Sequence, residues 1–181
     1  MNQKRNRRSG VEDRWHLARK DDTGKLVRSA KYGVGKRWRA RYVDESGAER
    51  EKLFTLKAEA QEWLDGITSS MVTGTYVAPG AGSVTVGQMR AQWIGTFGHL
   101  KETTKATRET VWNKHVRDRW QSVRINEIQT SGVRAWVQDM RAEGAKAATI
   151  ENALGILRMI LELAVEDRRL PRNPCQGVKP P

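Results

Sequence analysis

The residues with the clearest chemical capacity are arginines at alternate positions. In Arg37-Trp38-Arg39-Ala40-Arg41-Tyr42-Val43 the types alternate strictly, so on a β-strand Arg37, Arg39 and Arg41 share one face, while Trp38, Ala40 and Tyr42 share the other. Guanidiniums in such a row suit anion recognition. They bind phosphate oxygens, and their paired donors match O6 and N7 of guanine in the major groove. A row of charge is also what an ordinary solvated face looks like. Against that, the strand carries no acidic residue of its own, so repulsion among the three arginines is expected to be relieved by an external anion. Arg14, Lys36, Arg50 and Lys52 are expected to belong to the same contact set.

Other constellations lead nowhere. Gly33-Val34-Gly35-Lys36 lacks the longer glycine spacing of a phosphate loop and the Ser or Thr after its lysine, and it precedes a strand rather than a helix, so it reads as a turn. Asp21-Asp22 and Glu166-Asp167 are adjacent carboxylates, which seldom converge on one substrate. His16, His99 and His115 are scattered, and Cys175 is the single cysteine, so neither a metal site nor an intrachain disulfide is expected, and no cofactor.

The elements that must hold the arginine row can be read around it. Asp44-Glu45-Ser46-Gly47 is a turn, and residues 48–55 return as a second strand of a hairpin. Arg50 and Lys52 then extend the charged surface, with Leu53 and Phe54 leaving the register open. Upstream, residues 11–17 alternate too, with Val11, Trp15 and Leu17 inward and Arg14 and His16 outward, which makes a third strand. Residues 57–72 place Ala60, Trp63, Leu64, Ile67 and Met71 at helical spacing, a stripe fit to cover the inner face of the sheet.

Composition points to the partner. The 181 residues hold 33 Lys and Arg against 21 Asp and Glu, a formal charge of +12 and a pI near 10.3, values usual for a protein on a polyanion. No window approaches 18 apolar residues and the opening MNQKRNRRSG has no apolar run, so a membrane partner is not expected, and the bacterial cytoplasm, at the nucleoid, is the expected location. The charge is uneven: residues 1–57 carry 17 basic and 8 acidic side chains, residues 58–83 none and 3, residues 84–181 16 and 10. Two basic blocks flank an acidic spacer. The run Tyr76-Val77-Ala78-Pro79-Gly80-Ala81-Gly82-Ser83 has linker composition. The expected division is a disordered basic arm (1–10), a sheet domain (11–75), a linker (76–83) and a helical domain (84–178).

The second block reads as four amphipathic helices, over residues 85–97, 104–116, 130–142 and 149–167. Thr104 and Thr130 are expected as N-caps, Gly144 follows the third helix, and Pro171 and Pro174 end the fourth. The tryptophans are read as core, not as a base-stacking platform. On the polar faces Lys105, Thr107, Arg108, Lys114 and Arg117, then Arg141, Lys146 and Arg158, are candidates for phosphate contact.

Several of these stretches, taken in order, resemble a known family. Lys36-Arg37-Trp38-Arg39-Ala40-Arg41-Tyr42, Phe54-Thr55-Leu56-Lys57-Ala58-Glu59-Ala60 and Gly74-Thr75-Tyr76-Val77 are similar to the arm-type-site binding domain of phage-type tyrosine recombinases, the integrases. The helix around Trp93, Thr103-Thr104-Lys105-Ala106-Thr107, Ile125-Asn126-Glu127-Ile128 and Asn173-Pro174-Cys175 resemble their core-binding domain. The resemblance implies an α+β chain: a three-stranded antiparallel sheet with one helix, then an all-α four-helix core-binding (SAM-like) domain. It implies that the sheet holds arm-type sites and the helices grip the core site of double-stranded DNA during integration and excision, with further integrase protomers on the same DNA.

The catalytic domain of that family is expected to be absent. Its chemistry uses a tyrosine nucleophile together with Arg, Lys and His groups around the phosphate. Tyr32, Tyr42 and Tyr76 are the only tyrosines, all in the first domain or linker, so no catalytic residue is carried over and no enzyme activity is expected of this chain. Two other readings stay open: a stand-alone DNA-binding regulator of recombination, and an RNA-binding protein.

Overall fold

The computed structural model describes residues 9–180, which form two compact units divided at Gly74 and Thr75. The expected basic arm falls mostly on residues 1–8, outside the described residues, while Gly10 already belongs to the first strand.

In the first unit β1 (Gly10–Asp13), β4 (Trp38–Val43) and β5 (Glu49–Phe54) form an antiparallel sheet in the order β1-β4-β5. A separate two-stranded sheet joins β2 (His16–Lys20) to β3 (Leu26–Arg28). The strand expected over residues 11–17 is therefore two strands. The chain turns at Arg14 and Trp15, where the Asp13 carboxylate accepts the Trp15 N–H, and Trp15 then joins the hairpin base by accepting the Ser29 N–H.

Helix α1 (Lys57–Val72) packs on β1, β4 and β5, with the buried pair Ala60 and Leu64 over Ala40 and Tyr42. Two alanines at the centre let helix and sheet approach closely. Trp63 closes the layer against Tyr42 and Phe54, with ring centroids 5.5 and 5.7 Å away.

The second unit is all helical: α2 (Val86–Ile94), α3 (Glu102–Val111), α4 (Arg117–Trp120), α5 (Thr130–Ala142) and α6 (Ala147–Glu166). A π-turn over Trp112–Val116 joins α3 to α4, so the helix expected over 104–116 runs on to Trp120. The wide turn has a packing reason. At α-helical pitch two steps of i+4 would drift around the axis, and the π-turn brings Trp112, Val116 and Trp120 onto one buried stripe.

Helix α6 is the centre of this unit, burying eight residues from Ile150 to Ala164 against α2, α3 and α5. The tryptophans are core, as read: Trp93, Trp112, Trp120 and Trp136 are all buried, the last two edge to face at 5.7 Å. The expected caps are corrected. Thr104 lies inside α3 and Thr130 is the first residue of α5; neither caps, and the reciprocal capping box is Thr85 with Gln88 at the start of α2.

The stretch read as a linker is partly built into the helical unit. Tyr76 and Gly82 are buried, and a Cβ on Gly82 would meet Asn126 Cβ at 2.9 Å and the Arg169 carbonyl oxygen at 3.1 Å. Glycine stands there because the backbone passes too close for any other residue.

Candidate nucleic-acid interface

The arginine row is real, but it is not unpaired. Register sets Glu12 of β1 opposite Arg39 and Glu51 of β5 opposite Arg41. Arg39 donates to Glu12 at 2.5 Å and to Glu51 at 3.4 Å, and Arg41 lies 2.6 Å from the other oxygen of Glu12. Arg37 donates through Nε and Nη2 to Asp13 at 3.1 and 2.7 Å. The expectation that an external anion must relieve these arginines is overturned: the relief comes from the adjacent strands. Burial pushes the Asp13 carboxyl up, but hydrogen bonds from Arg37, His16 and the Trp15 N–H outweigh it and hold the group well below the usual carboxylate range.

Arg50 and Lys52 are corrected too. They stand opposite Tyr42 and Ala40, on the face of the sheet that α1 covers, and not on the arginine face. Arg50 donates to the buried Asp44 at 2.9 Å, and the Lys52 ammonium lies over the rings of Phe54 and Trp63 at 5.4 and 5.8 Å. The β5 residues on the arginine face are Glu49, Glu51 and Leu53. Arg14 donates to the Lys36 carbonyl oxygen at 2.7 Å, while the Lys36 side chain is exposed.

In the helical unit the structure brings Thr107 and Arg108 together on a groove between α3 and α6, about 400 Å³ in volume. Thr103, Thr104, Thr107, Arg108 and Val111 form one wall, and Glu151, Asn152, Gly155, Ile156 and Met159 the other. Arg108 lies over Trp93 and Phe97, 5.3 and 4.9 Å from their centroids, which fixes its guanidinium without neutralising it. Lys105 bonds Glu102 at 2.7 Å. The Thr107 hydroxyl donates to the Thr103 carbonyl, so its oxygen keeps acceptor capacity. Gly155 sits mid-helix, where glycine is costly, yet a Cβ there would meet nothing within 4 Å. Packing does not require this glycine; what its missing side chain does is keep the groove open.

Lys114, Arg141 and Lys146 are exposed and make no ion pair among the described residues. Arg158 serves the fold instead: its guanidinium donates to the Val178 carbonyl at 3.2 Å, and its own carbonyl accepts from Asn173 at 2.9 Å. It straps the closing Asn173-Pro174-Cys175 turn onto α6. There burial pushes the Cys175 thiol up to about 12.

Residues the sequence reading passed over are Asn152 on the groove and the exposed cations of the β2–β3 hairpin, Arg19, Lys20 and Lys25. The density of basic residues over 19–36 was the available signal. A His-x-x-Arg spacing also occurs, at His16 and Arg19. His16 bonds Asp13 at 3.0 Å and meets the Tyr32 ring edge on, whereas Arg19 is exposed, and the two share no partner among the described residues. No helix of the described residues is long and apolar enough to cross a membrane.

Comparison with solved structures returns integrase-like domains. The integrase-like domain from Bacillus cereus matches with a TM-score of 0.51 at 21% identity, over 55% of this chain and 86% of that one. The first unit, 74 of 181 residues, is too short to supply such a match, so the shared fold includes the helical unit. The phage integrase SAM-like domain from Moorella thermoacetica matches at 23% identity with a TM-score of 0.47, over 59% of this chain and 91% of that one. The integrase of transposon Tn1549, in complex with circular intermediate DNA, matches at 29% identity with a TM-score of 0.49, over 53% of this chain and 31% of that one. No family profile and no curated protein sequence matches the chain.

Proposed function

We propose that this chain is the DNA-binding portion of a site-specific tyrosine recombinase, with two modules that engage separate sites on duplex DNA. The helical unit takes the core site of strand exchange and the sheet unit takes arm-type sites, at the bacterial nucleoid and beside further protomers on the same DNA. The observation that carries the reading is the helical unit: an integrase-like fold with a groove whose walls offer threonine hydroxyls, an asparagine and an uncompensated arginine.

These are the side chains that hold phosphates and base edges. An α-helix fits the major groove, and α3 presents Thr103 and Thr107 along its exposed side, with Arg108 on the same groove steadied by the Phe97 ring. Lys146, at the start of α6, adds charge one turn before Glu151 and Asn152. In the sheet unit, DNA at the arginine face must compete with Glu12 and Glu51 for Arg39 and Arg41. That makes sequence reading there an exchange of ion pairs rather than the filling of an empty site.

No residue of this chain is assigned to strand cleavage. Tyr42 and Tyr76 are buried, and Tyr32 packs against Trp15, His16 and Arg28.

Selection of bound sequences from a randomised duplex library, followed by footprinting at 50 and 200 mM salt, tests the reading. Two unrelated enriched motifs are expected, with affinity falling by roughly 10³ to 10⁵ between those salts for about 6–10 phosphate contacts. A single motif sinks the two-site reading, and binding that structured RNA competes away at equal charge sinks the DNA assignment.

A further inference from the structure

The cations of the sheet unit are sorted by location. Every basic side chain on the three-stranded sheet or at the start of α1 has a partner: Arg37, Arg39, Arg41 and Arg50 meet carboxylates, and Lys52 and Lys57 lie over aromatic rings. The β2–β3 hairpin and the loop after it are the opposite. Arg19, Lys20, Lys25, Lys31 and Lys36 are exposed and make no ion pair among the described residues, and Arg28 is held only by the Tyr32 ring, 4.2 Å away. Residues 14–36 hold seven Lys and Arg against two Asp. One of those two is occupied, because the Asp21 carboxylate accepts the N–H groups of Thr23 and Lys25 and the Thr23 hydroxyl, closing the turn.

We propose that the β2–β3 hairpin is a phosphate-backbone grip on duplex DNA, a contact site in the sheet unit distinct from the β4 arginine row. The inference rests on the DNA-binding reading above. Three features fit it to a backbone rather than to bases. Counted with the loop after it, the cations are mostly lysines (Lys20, Lys25, Lys31 and Lys36), point charges without a fixed donor pair, which bind phosphate but discriminate bases weakly. The hairpin tip carries Asp22, exposed and acidic, which disfavours entry tip first into a groove lined by phosphates. The base, by contrast, is fixed: Ser29 donates to the Arg14 carbonyl at 2.5 Å, its N–H to the Trp15 carbonyl at 2.8 Å, and Tyr32 packs on Trp15 at 5.8 Å. A ribbon anchored at its root and charged along its length holds a backbone without selecting a sequence. Among the described residues of the unit the cations without a carboxylate partner gather here, so the hairpin contributes more to the salt dependence than the β4 row does.

The test uses the full chain and a 30-base-pair duplex of arbitrary sequence, with affinity measured across a salt series. Arg19→Ala/Lys20→Ala/Lys25→Ala is expected to reduce the slope of log affinity against log salt by about 2 to 3, since each phosphate contact contributes roughly 0.9. The charge-keeping Arg19→Lys/Arg28→Lys should leave the slope unchanged. Thermal melting of each variant reports the fold, and the milder Lys20→Gln/Lys25→Gln, at two exposed positions, should still remove about 2 from the slope. A triple variant with the parent slope overturns the hairpin grip while leaving the DNA reading intact, whereas a parent chain without salt-dependent duplex binding sinks both. A triple variant that loses slope on single-stranded RNA but keeps it on the duplex overturns the assignment of the hairpin to DNA.

Discussion

The two units hold their cations in opposite ways. In the sheet, Arg39 and Arg41 are answered by Glu12, 27 and 29 positions earlier in the chain, because strand pairing brings β1 beside β4. On α3 Lys105 is held by Glu102 three residues away, and the groove cation Arg108 lies over the rings of Trp93 and Phe97, 15 and 11 positions earlier, with no ion pair among the described residues. A basic strand is therefore no measure of a basic surface until its cross-strand neighbours are known, whereas an arginine held by rings keeps its charge for an external anion.

The same contrast appears in the cores. The helical unit packs large side chains around α6, and the sheet unit relies on a thin layer centred on Ala40 and Ala60. Leu157→Ala, at a position 0% exposed, should cost the helical unit about 2–5 kcal/mol by urea unfolding. Leu64→Ala, 6% exposed beneath one helix, should fall at the low end of that range, about 2 kcal/mol. Equal losses would break the distinction between the cores.

A smaller change of opposite sign sharpens the role of the groove. Gly155→Ala should raise the stability of α6 by about 0.5–1 kcal/mol, because a mid-helix glycine is replaced where a Cβ meets nothing within 4 Å. Gly155→Leu, seated in the same open space, should keep the fold and weaken duplex binding. A gel-shift titration beside a melting curve reads both. Undiminished binding by the leucine variant would take the groove off the DNA.

How much of this was legible follows from where each partner lies. The α1 span 57–72 and the α5 span 130–142 were readable because apolar spacing within a helix is local, and so was the alternation of β4. Arg50 and Lys52 were misplaced because Asp44 to Glu49 fixes the hairpin register by turn geometry, and a shift of one residue moves every side chain to the other face. The break between β1 and β2 depends on the Asp13 carboxylate turning back to the Trp15 N–H, which periodicity does not encode. Arg158 looked like any other exposed helix cation, and its link to Val178 is set by how the closing turn folds back. The paired helices were visible, but the groove between α3 and α6 was not, because it is made by side chains forty or more positions apart.

The contrast in charge can be tested at its shared carboxylate. Glu12→Gln removes the group that holds both Arg39 and Arg41 and takes a negative charge off the face. If that face lies on DNA, the freed arginines should raise duplex affinity by two- to five-fold, the equivalent of roughly 0.5–1 kcal/mol for a partly exposed pair. Fluorescence anisotropy at fixed salt measures this. An unchanged affinity together with a lowered melting temperature would make the arginine row a structural element.

The smallest effect is expected at the hairpin turn between β4 and β5, where a carboxylate is used in the manner of the Glu12 pairs but in burial. Asp44 accepts the Ser46 hydroxyl, the Ser46 N–H and the Ala48 N–H on one oxygen, at 2.5, 3.0 and 2.9 Å, and Arg50 Nε on the other at 2.9 Å. The Ser46 hydroxyl bond foremost, then Arg50, hold its carboxyl down at about 2 against the ordinary 3.8. A carboxyl lowered by folding stabilises the fold above its unfolded pKa, and that contribution is lost as pH falls from about 4 through about 2. Protection of the Ser46 and Ala48 amides, relative to their intrinsic exchange rates, should therefore fall over that window in the parent chain. In Asp44→Asn protection should be lower at neutral pH, since the amide cannot serve Arg50 as an anion, and it should no longer fall between pH 4 and 2. The helical unit serves as the internal control, because the amides of α6 around the buried Leu157 are remote from this turn in sequence and should show no matching step. A parallel acid step in both units would mean that global unfolding, and not the Asp44 turn, sets the response.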